Sequence, residues 1–374
     1  MVGAGPAGLA AGAALRMHGI DAVLVDGSSA VGASWQGRYD RLRLNTSRRL
    51  SRLPGYGFAR SDDRWPTRDQ VVRYLERFAR HHQLRVVLKT DVRRVDRGDE
   101  VGWIVRTSRG DVAAAWVVVA TGHARTPVLP PWPGRDSFPG PVVHSSAYRN
   151  GAPYRGRNVL VAGAGDSAAD IAVDLAEGDA AIVWLSVRTP THVIPRSTLG
   201  VPTDVTASMI HRLPPRVVDP MIAAIARIRL GYLSRFGMPR PTQGLYARFL
   251  EHRRAPIIDP GDFVRALRSG RVRVVTGVER FEGGAVRLAG GEAVEPDAVV
   301  AATGYRPGLE DLVGHLGVLA GDGYPEAHAP SEHPSAPRLY FLGFRFPFSG
   351  NFRQVRIDAR RMTRRIRRHT REAA

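Results

Sequence analysis

Hydrophobic residues in this chain fall mostly in short unbroken runs rather than in alternation with polar ones, the pattern of strands buried on both faces of a parallel sheet. The runs Ala22–Asp26 (AVLVD), Asn158–Ala162 (NVLVA) and Ala181–Val187 (AIVWLSV) are of this kind, as are VVVATG and VVAATGY. Between them the period lengthens. After Gly8 the stretch LAAGAALRMHG sets Leu9 and Leu15 on a helical face and offers Gly19 as a stop, and SAADIAVDLAEG repeats the design. Strand, turn, helix, strand, met twice, predicts an α/β fold. From about residue 202 to 256 the pattern is helical but irregular and predicts an insertion. Within it Met221, Ile222, Ile225, Ile228 and Tyr232 share one helical face, expected to pack on its own domain. An apolar lid or a membrane-surface contact is the alternative, while Arg227, Arg229 and Arg235 argue against a spanning helix.

The turns repeat as well. Gly3-Ala-Gly5-Pro6-Ala7-Gly8 is paired with a later strand ending Ala120-Thr121-Gly122, and Gly163-Ala-Gly165-Asp-Ser167-Ala168 with one ending Ala302-Thr303-Gly304. Glycine at such places allows a tight turn, close approach of backbone to a pyrophosphate, and close helix packing, while the free N–H groups of the helix start attract the anion. The repeat predicts two Rossmann-like dinucleotide-binding domains, the second inserted in the first. Residues 1–149 would begin the first domain and 150–304 form the second with its helical insertion. Residues 305–374 would complete the first domain and carry a basic tail. The Pro- and Gly-rich stretches Thr126–Gly134 and Phe138–Tyr148 read as connections. Only Met1 and Val2 precede the first turn, which predicts an apolar strand of about four to six residues further upstream in the natural protein.

The ribose ends differ in charge. Asp26 closes the strand after the first turn, where a carboxylate accepts from ribose hydroxyls and repels a 2′-phosphate, so this site favours FAD or NAD. Arg188, followed by Thr189, takes the matching place after the second turn, and a guanidinium there pairs with the 2′-phosphate of NADPH. Ser167 is expected on the pyrophosphate.

Composition narrows the classes further. The chain has no cysteine, which excludes disulfides, thiolate metal sites and a redox dithiol and fits a reducing, cytoplasmic setting. Its 12 histidines show no ligand spacing, so no metal is expected. No apolar run is long enough to span a membrane. The formal charge is +19, and nine arginines crowd the last 22 residues, but no aromatics interleave them for base stacking. A solvated basic helix is expected there, and no nucleic acid partner.

Phe138-Pro-Gly140-Pro-Val-Val-His144-Ser-Ser-Ala-Tyr148 matches F-x-G-x-x-x-H-x-x-x-[YF], and with it the chain resembles the class B flavin-containing monooxygenases. VGASW (Val31–Trp35), FLGF and AATGY recur in that family. Longer stretches (YDRLRLNTSRRLSRLPG, VRTPTHVIPR, FGMPRP, PIIDPGDFVRALRSGRVRV) are similar to the subgroup that includes plant indole-3-pyruvate monooxygenases. Tyr148 stands where the related Baeyer–Villiger enzymes usually carry Trp. The resemblance implies that NADPH reduces bound FAD and that dioxygen then forms a C4a-hydroperoxyflavin. This oxygenates a small organic substrate by N- or S-oxygenation or by oxidative decarboxylation of a 2-oxo acid. It implies Asn45 as the catalytic donor beside the flavin, Trp35 as a flavin contact and His144 as a loop residue coupled to NADPH. Thr121, Gly122, Thr303 and Gly304 are counted among the nucleotide contacts. An NADPH:acceptor reductase, an uncoupled oxidase and a truncated nucleotide-binding protein are the other readings. Oligomeric state is not legible.

Overall fold

A computed structural model describes residues 1–98, 102–210, 213–252, 257–259, 261–345 and 347–372. The fold is α/β, with two compact units. One comprises Met1–Gly37, Thr46–Thr126 and Tyr305–Ala374, the other Arg38–Asn45 and Pro127–Gly304.

In the first unit Val23–Val25 pairs in parallel with Arg85–Val87, and Val117–Val119 pairs in parallel with Leu339–Phe341. Val2 joins the two pairs, bridging Val25 on one side and Val119 on the other. Val2 N donates to Val118 O, Gly3 N to Val25 O, and Met1 O and Val2 O accept from Val25 N and Ala120 N. The helix that follows, Pro6–Arg16, buries every residue from Ala7 to Leu15, because it is enclosed between the sheet and helices Arg68–His81 and Asn351–Glu372, to which its small side chains allow close approach. An antiparallel sheet of Val92–Gly98, Gly102–Thr107 and Gly110–Ala114 comes immediately before Val117–Val119. Val2, Trp103, Val117, Val119, Leu339 and Phe341 share one core.

The second unit repeats the plan. Its parallel sheet runs Val272–Val275, Ile182–Ser186, Asn158–Ala162, Ala298–Ala301, Val142–His144. An antiparallel sheet of Val278–Glu282, Ala285–Leu288 and Ala293–Val294 again comes just before the strand that ends at the Ala-Thr-Gly turn. The stretch before residue 150 is more than a connection. Val142–His144 pairs with Val299–Ala301 and belongs to this unit, as does everything from Pro127.

The expected insertion contains helices Thr203–Ile210, Pro215–Leu230 and Leu245–His252; residues 211, 212 and 253–256 of it lie outside the described residues. The apolar face expected to pack inward does so only in part. Helix Pro215–Leu230 buries Val218 and Leu230, while Met221 and Tyr232 are exposed and Ile228 is 81% exposed. The Tyr232 ring is surrounded by the guanidinium groups of Arg227, Arg235 and Arg240 at 5.1, 5.7 and 5.7 Å, a cation–π cluster that keeps this end of the face polar. No described helix is long and apolar enough to cross a membrane.

Candidate functional site

At the first turn the glycines answer to different neighbours. A Cβ on Gly3, whose φ is +109°, would lie 2.6 Å from Ala120 O, and one on Gly8 would lie 1.9 Å from Gly3 O. Gly5 meets nothing within 4 Å. Packing therefore requires the outer two, and open space lies at the middle one, where a pyrophosphate can approach bare backbone. Pro6 starts the helix without an N–H the helix could not use, leaving the remaining first-turn donors for an anion. Asp26 braces the turn itself: Oδ2 accepts from Ala4 N at 2.6 Å, and Oδ1 from Ser28 N at 2.8 Å and Ser28 Oγ at 2.5 Å. A carboxylate has about four acceptor directions, so room remains for a ribose hydroxyl. Trp35 sits on a short helix, Ala33–Gln36, capped by Gly32, whose N donates to Ala4 O at 3.1 Å. Its ring meets Phe352 edge-on at 5.8 Å. Thr121 Oγ1 is buried with no hydrogen-bond partner among the described residues, and Gly122 beside it has open space around it. An open glycine, an unsatisfied buried hydroxyl and an acid at the ribose end fit a dinucleotide with free ribose hydroxyls.

The second turn is built alike from Gly163, whose Cβ would lie 2.4 Å from Ala302 O, and Gly165, which again meets nothing. Ala168 replaces the third glycine, and its Cβ is a second reason Gly163 must lack one, since a Cβ there would stand 3.1 Å from it. Arg188 is exposed beyond the end of Ile182–Ser186 and makes no hydrogen bond or ion pair among the described residues; Thr189 follows, half-buried. Thr303 differs from its counterpart Thr121, since its Oγ1 donates to Val128 O, while Val128 N donates to Gly304 O at 3.0 Å. Ser167 is bonded to the Tyr39 hydroxyl.

The four residues of the F-x-G-x-x-x-H-x-x-x-Y pattern frame this second turn. Phe138 packs on Phe281 at 5.3 Å, in a core with Leu160 and Val299. Gly140 passes so close to the main chain that a Cβ would lie 2.2 Å from Asp297 O. His144 accepts from Ser146 N at Nδ1 (3.1 Å), so Nε2 carries the proton it donates to Gly304 O at 3.0 Å. Burial holds this histidine below its ordinary pKa, hence neutral. Tyr148, 1% exposed, donates from its hydroxyl to Asp174 Oδ2 at 2.6 Å.

Asn45 belongs to the second unit, carried by the segment Arg38–Asn45. Arg41 pairs with Glu177 and with Asp262 at 2.7 Å, and Tyr39 donates to Asp170 Oδ2 at 2.9 Å. Asn45 Oδ1 accepts from Arg196 Nη2 at 2.9 Å. Burial pushes Asp166 up to about 7 and Asp170 up to about 6. Sequence reasoning singles out neither acid, nor Tyr39, nor Arg196. A signal was present: Asp166, Asp170 and Asp174 recur every fourth residue on an otherwise apolar helix. Among the described residues no group of three metal-ligating side chains occurs.

Two glycine turns of one plan, with an acid near one and an arginine near the other, suit a chain that binds two dinucleotides. A family model for pyridine nucleotide-disulphide oxidoreductases matches residues 1–200. Indole-3-pyruvate monooxygenase YUCCA8 of Oryza sativa subsp. indica is 34% identical over 331 residues, 85% of this chain and 78% of the relative. Indole-3-pyruvate monooxygenase YUCCA1 of Oryza sativa subsp. japonica is 32% identical over 349 residues, 92% of this chain and 86% of the relative. A flavin-containing monooxygenase from Stenotrophomonas maltophilia shares the fold with a TM-score of 0.74 and 23% identity over 99% of this chain and 97% of that one. The chain belongs to the class B flavin-dependent monooxygenases, enzymes that work with FAD and NADPH.

Proposed function

We propose that the first turn holds FAD and the second holds NADPH, and that Asn45 is the catalytic hydrogen-bond donor, its amide facing the nucleotide held by the second turn. The observation that carries the division of labour is the charge contrast between Asp26, one residue past the end of Val23–Val25, and Arg188, two residues past the end of Ile182–Ser186, in two units of the same plan. Gly3, Gly5, Pro6, Ala7 and Gly8 would receive the FAD pyrophosphate, with Asp26 on the ribose and Trp35, Thr121 and Gly122 around the rest. Gly163, Gly165 and Ser167 would receive the NADPH pyrophosphate, with Arg188 and Thr189 on the 2′-phosphate. His144 would hold Gly304, and with it Thr303, in place beside that nucleotide. FAD, when bound, supplies the two-electron carrier and the activation of dioxygen. The protein orients the two nucleotides, excludes water and keeps neutral donors such as Asn45 near the reacting atoms.

The substrate is a small organic molecule. The two rice relatives are named for indole-3-pyruvate, which makes that 2-oxo acid the first probe, with a thioether and a tertiary amine beside it. The test is to load the full chain with FAD, follow NADPH oxidation with each probe, and seek one oxygen from labelled dioxygen in the product. FAD-loaded protein that fails to oxidise NADPH would overturn the assignment. Oxidation that yields only hydrogen peroxide with every probe would instead favour an oxidase.

A further inference from the structure

The amide of Asn45 is held at both ends. Its oxygen accepts from Arg196 Nη2 at 2.9 Å, and its nitrogen donates to the Asp166 carboxylate. A guanidinium has only donors and an ionised carboxylate only acceptors. An amide turned over would therefore set N–H against N–H and oxygen against oxygen, so only one orientation is satisfied. It leaves one of the two amide N–H bonds available to a ligand.

The holders are themselves fixed. Arg196 is 7% exposed and follows Val193–Pro195; its main-chain N donates to Asp259 O at 2.8 Å. Asp166 begins the second-turn helix directly after Gly165 and accepts from Ile258 N at 2.7 Å through Oδ1. The Asn45 amide is thus tied to the residue next to the glycine that would face the NADPH pyrophosphate.

We propose that Arg196 and Asp166 are positioning residues that lock the Asn45 amide so that its spare N–H faces the nicotinamide nucleotide held by the second turn. This rests on the reading of Asn45 as a donor. The lock has a pH dependence of known sign. Burial raises Asp166 to about 7, the Ile258 N–H opposes that rise, Asp170 on the same helix adds to it, and Arg196 and Asn45 oppose it. Tyr39 faces the same acids from the Arg38–Asn45 segment, and Arg43 and Asp259 face Arg196. Above about pH 7 the carboxylate accepts from Asn45. As pH falls below that value, Asp166 gains a proton, one oxygen becomes a donor, and the lock opens.

The experiment uses the FAD-loaded full chain and reads two quantities: the NADP⁺ dissociation constant, by fluorescence titration, and hydrogen peroxide released per NADPH consumed. Asn45→Ala and Arg196→Met should each weaken NADP⁺ about 5- to 10-fold and raise peroxide, and the double variant should be no worse than either, since both remove one contact. Arg196→Lys, which keeps a donor, should recover most of the affinity. In the wild type, affinity should fall several-fold as pH is lowered from about 8 to about 6, and Asp166→Asn, with no proton to gain, should give a flat profile. Multiplying effects in the double variant, or a wild-type profile that is already flat, would overturn the lock. Should Arg196→Met fail to fold, Arg196→Lys and the wild-type profile decide the matter. If Asn45→Ala alone changes neither quantity, the reading of Asn45 as a donor falls, and the lock with it.

Discussion

The two glycine turns can be laid over one another residue by residue, Pro6 against Asp166, Ala7 against Ser167 and Gly8 against Ala168; beyond them Asp26 directly follows its strand, Arg188 lies two residues past the end of the corresponding one, and Thr121 matches Thr303. Around these differences the architecture is constant. Each turn leaves a central parallel strand, each parallel sheet is preceded at the same point by an antiparallel one, and each later strand ends in Ala-Thr-Gly. On the proposed reading one scaffold serves two ligands, chosen by a few side chains at the rim. In the first unit those side chains leave acceptors beside the turn and a Thr121 hydroxyl with no partner among the described residues; in the second, Asp166 and Ser167 are bound into a polar network with Asn45 and Tyr39 while Arg188 stays exposed.

The comparison breaks most severely at the third glycine. Gly8→Ala would push a Cβ to 1.9 Å from Gly3 O, and we expect loss of bound FAD with a fall in Tm of about 10 °C, measured by flavin absorbance and calorimetry. Ala168→Gly, the converse change in the second unit, should lower Tm by only a few degrees. Next in size, Arg188→Ala should raise KM for NADPH about 10- to 100-fold while leaving that for NADH within about twofold, in initial-rate measurements with both nucleotides.

The acid that replaces Pro6 has its own signature. Asp166 has a folded pKa of about 7 against 3.8 for the free side chain, so the native state binds the extra proton between these values. Its contribution to stability falls as pH rises through that window and is least favourable above it. Asp166→Asn should therefore raise Tm by several degrees near pH 8 and by little near pH 4, read from melting curves at both values. The threonine pair gives the smallest effect. Thr303→Val strands the Val128 carbonyl and should cost about 1 kcal/mol of stability in denaturant titrations, whereas Thr121→Val removes an unpartnered hydroxyl and should leave the apoprotein unharmed while weakening FAD a few-fold.

Most of this symmetry is legible in the sequence, because strands buried on both faces must be written as apolar runs and turns that approach a phosphate must be written with glycine. The strand Val142–His144 escapes such a reading, since Pro139, Gly140 and Pro141 just before it look like punctuation. The bridging position Val2 is too short a stretch to recognise by pattern, and its partners Val25 and Val119 lie more than 20 and more than 110 residues away in sequence. The polar network is harder still. Arg196 and Asn45 are separated by 151 positions, and no local rule connects an arginine in one loop with an asparagine in another. The acids on the second-turn helix were visible as a stripe, but a stripe of acids more often faces solvent, and only the burial of Tyr39 and Tyr148 against it shows otherwise.

The segment Arg38–Asn45 carries a lesson for anyone who would recombine these enzymes. It lies early in the chain, among residues of the first unit, yet folds with the second. A chimera that exchanged the NADPH-binding half as one continuous cassette, cut near residues 127 and 304, would bring a foreign helix to meet a native Tyr39, Arg41 and Asn45. If Arg188 holds the 2′-phosphate as proposed, coenzyme preference would follow the cassette that carries it. Coupling of NADPH oxidation to product would not, unless eight residues from the other side of the splice were transplanted as well.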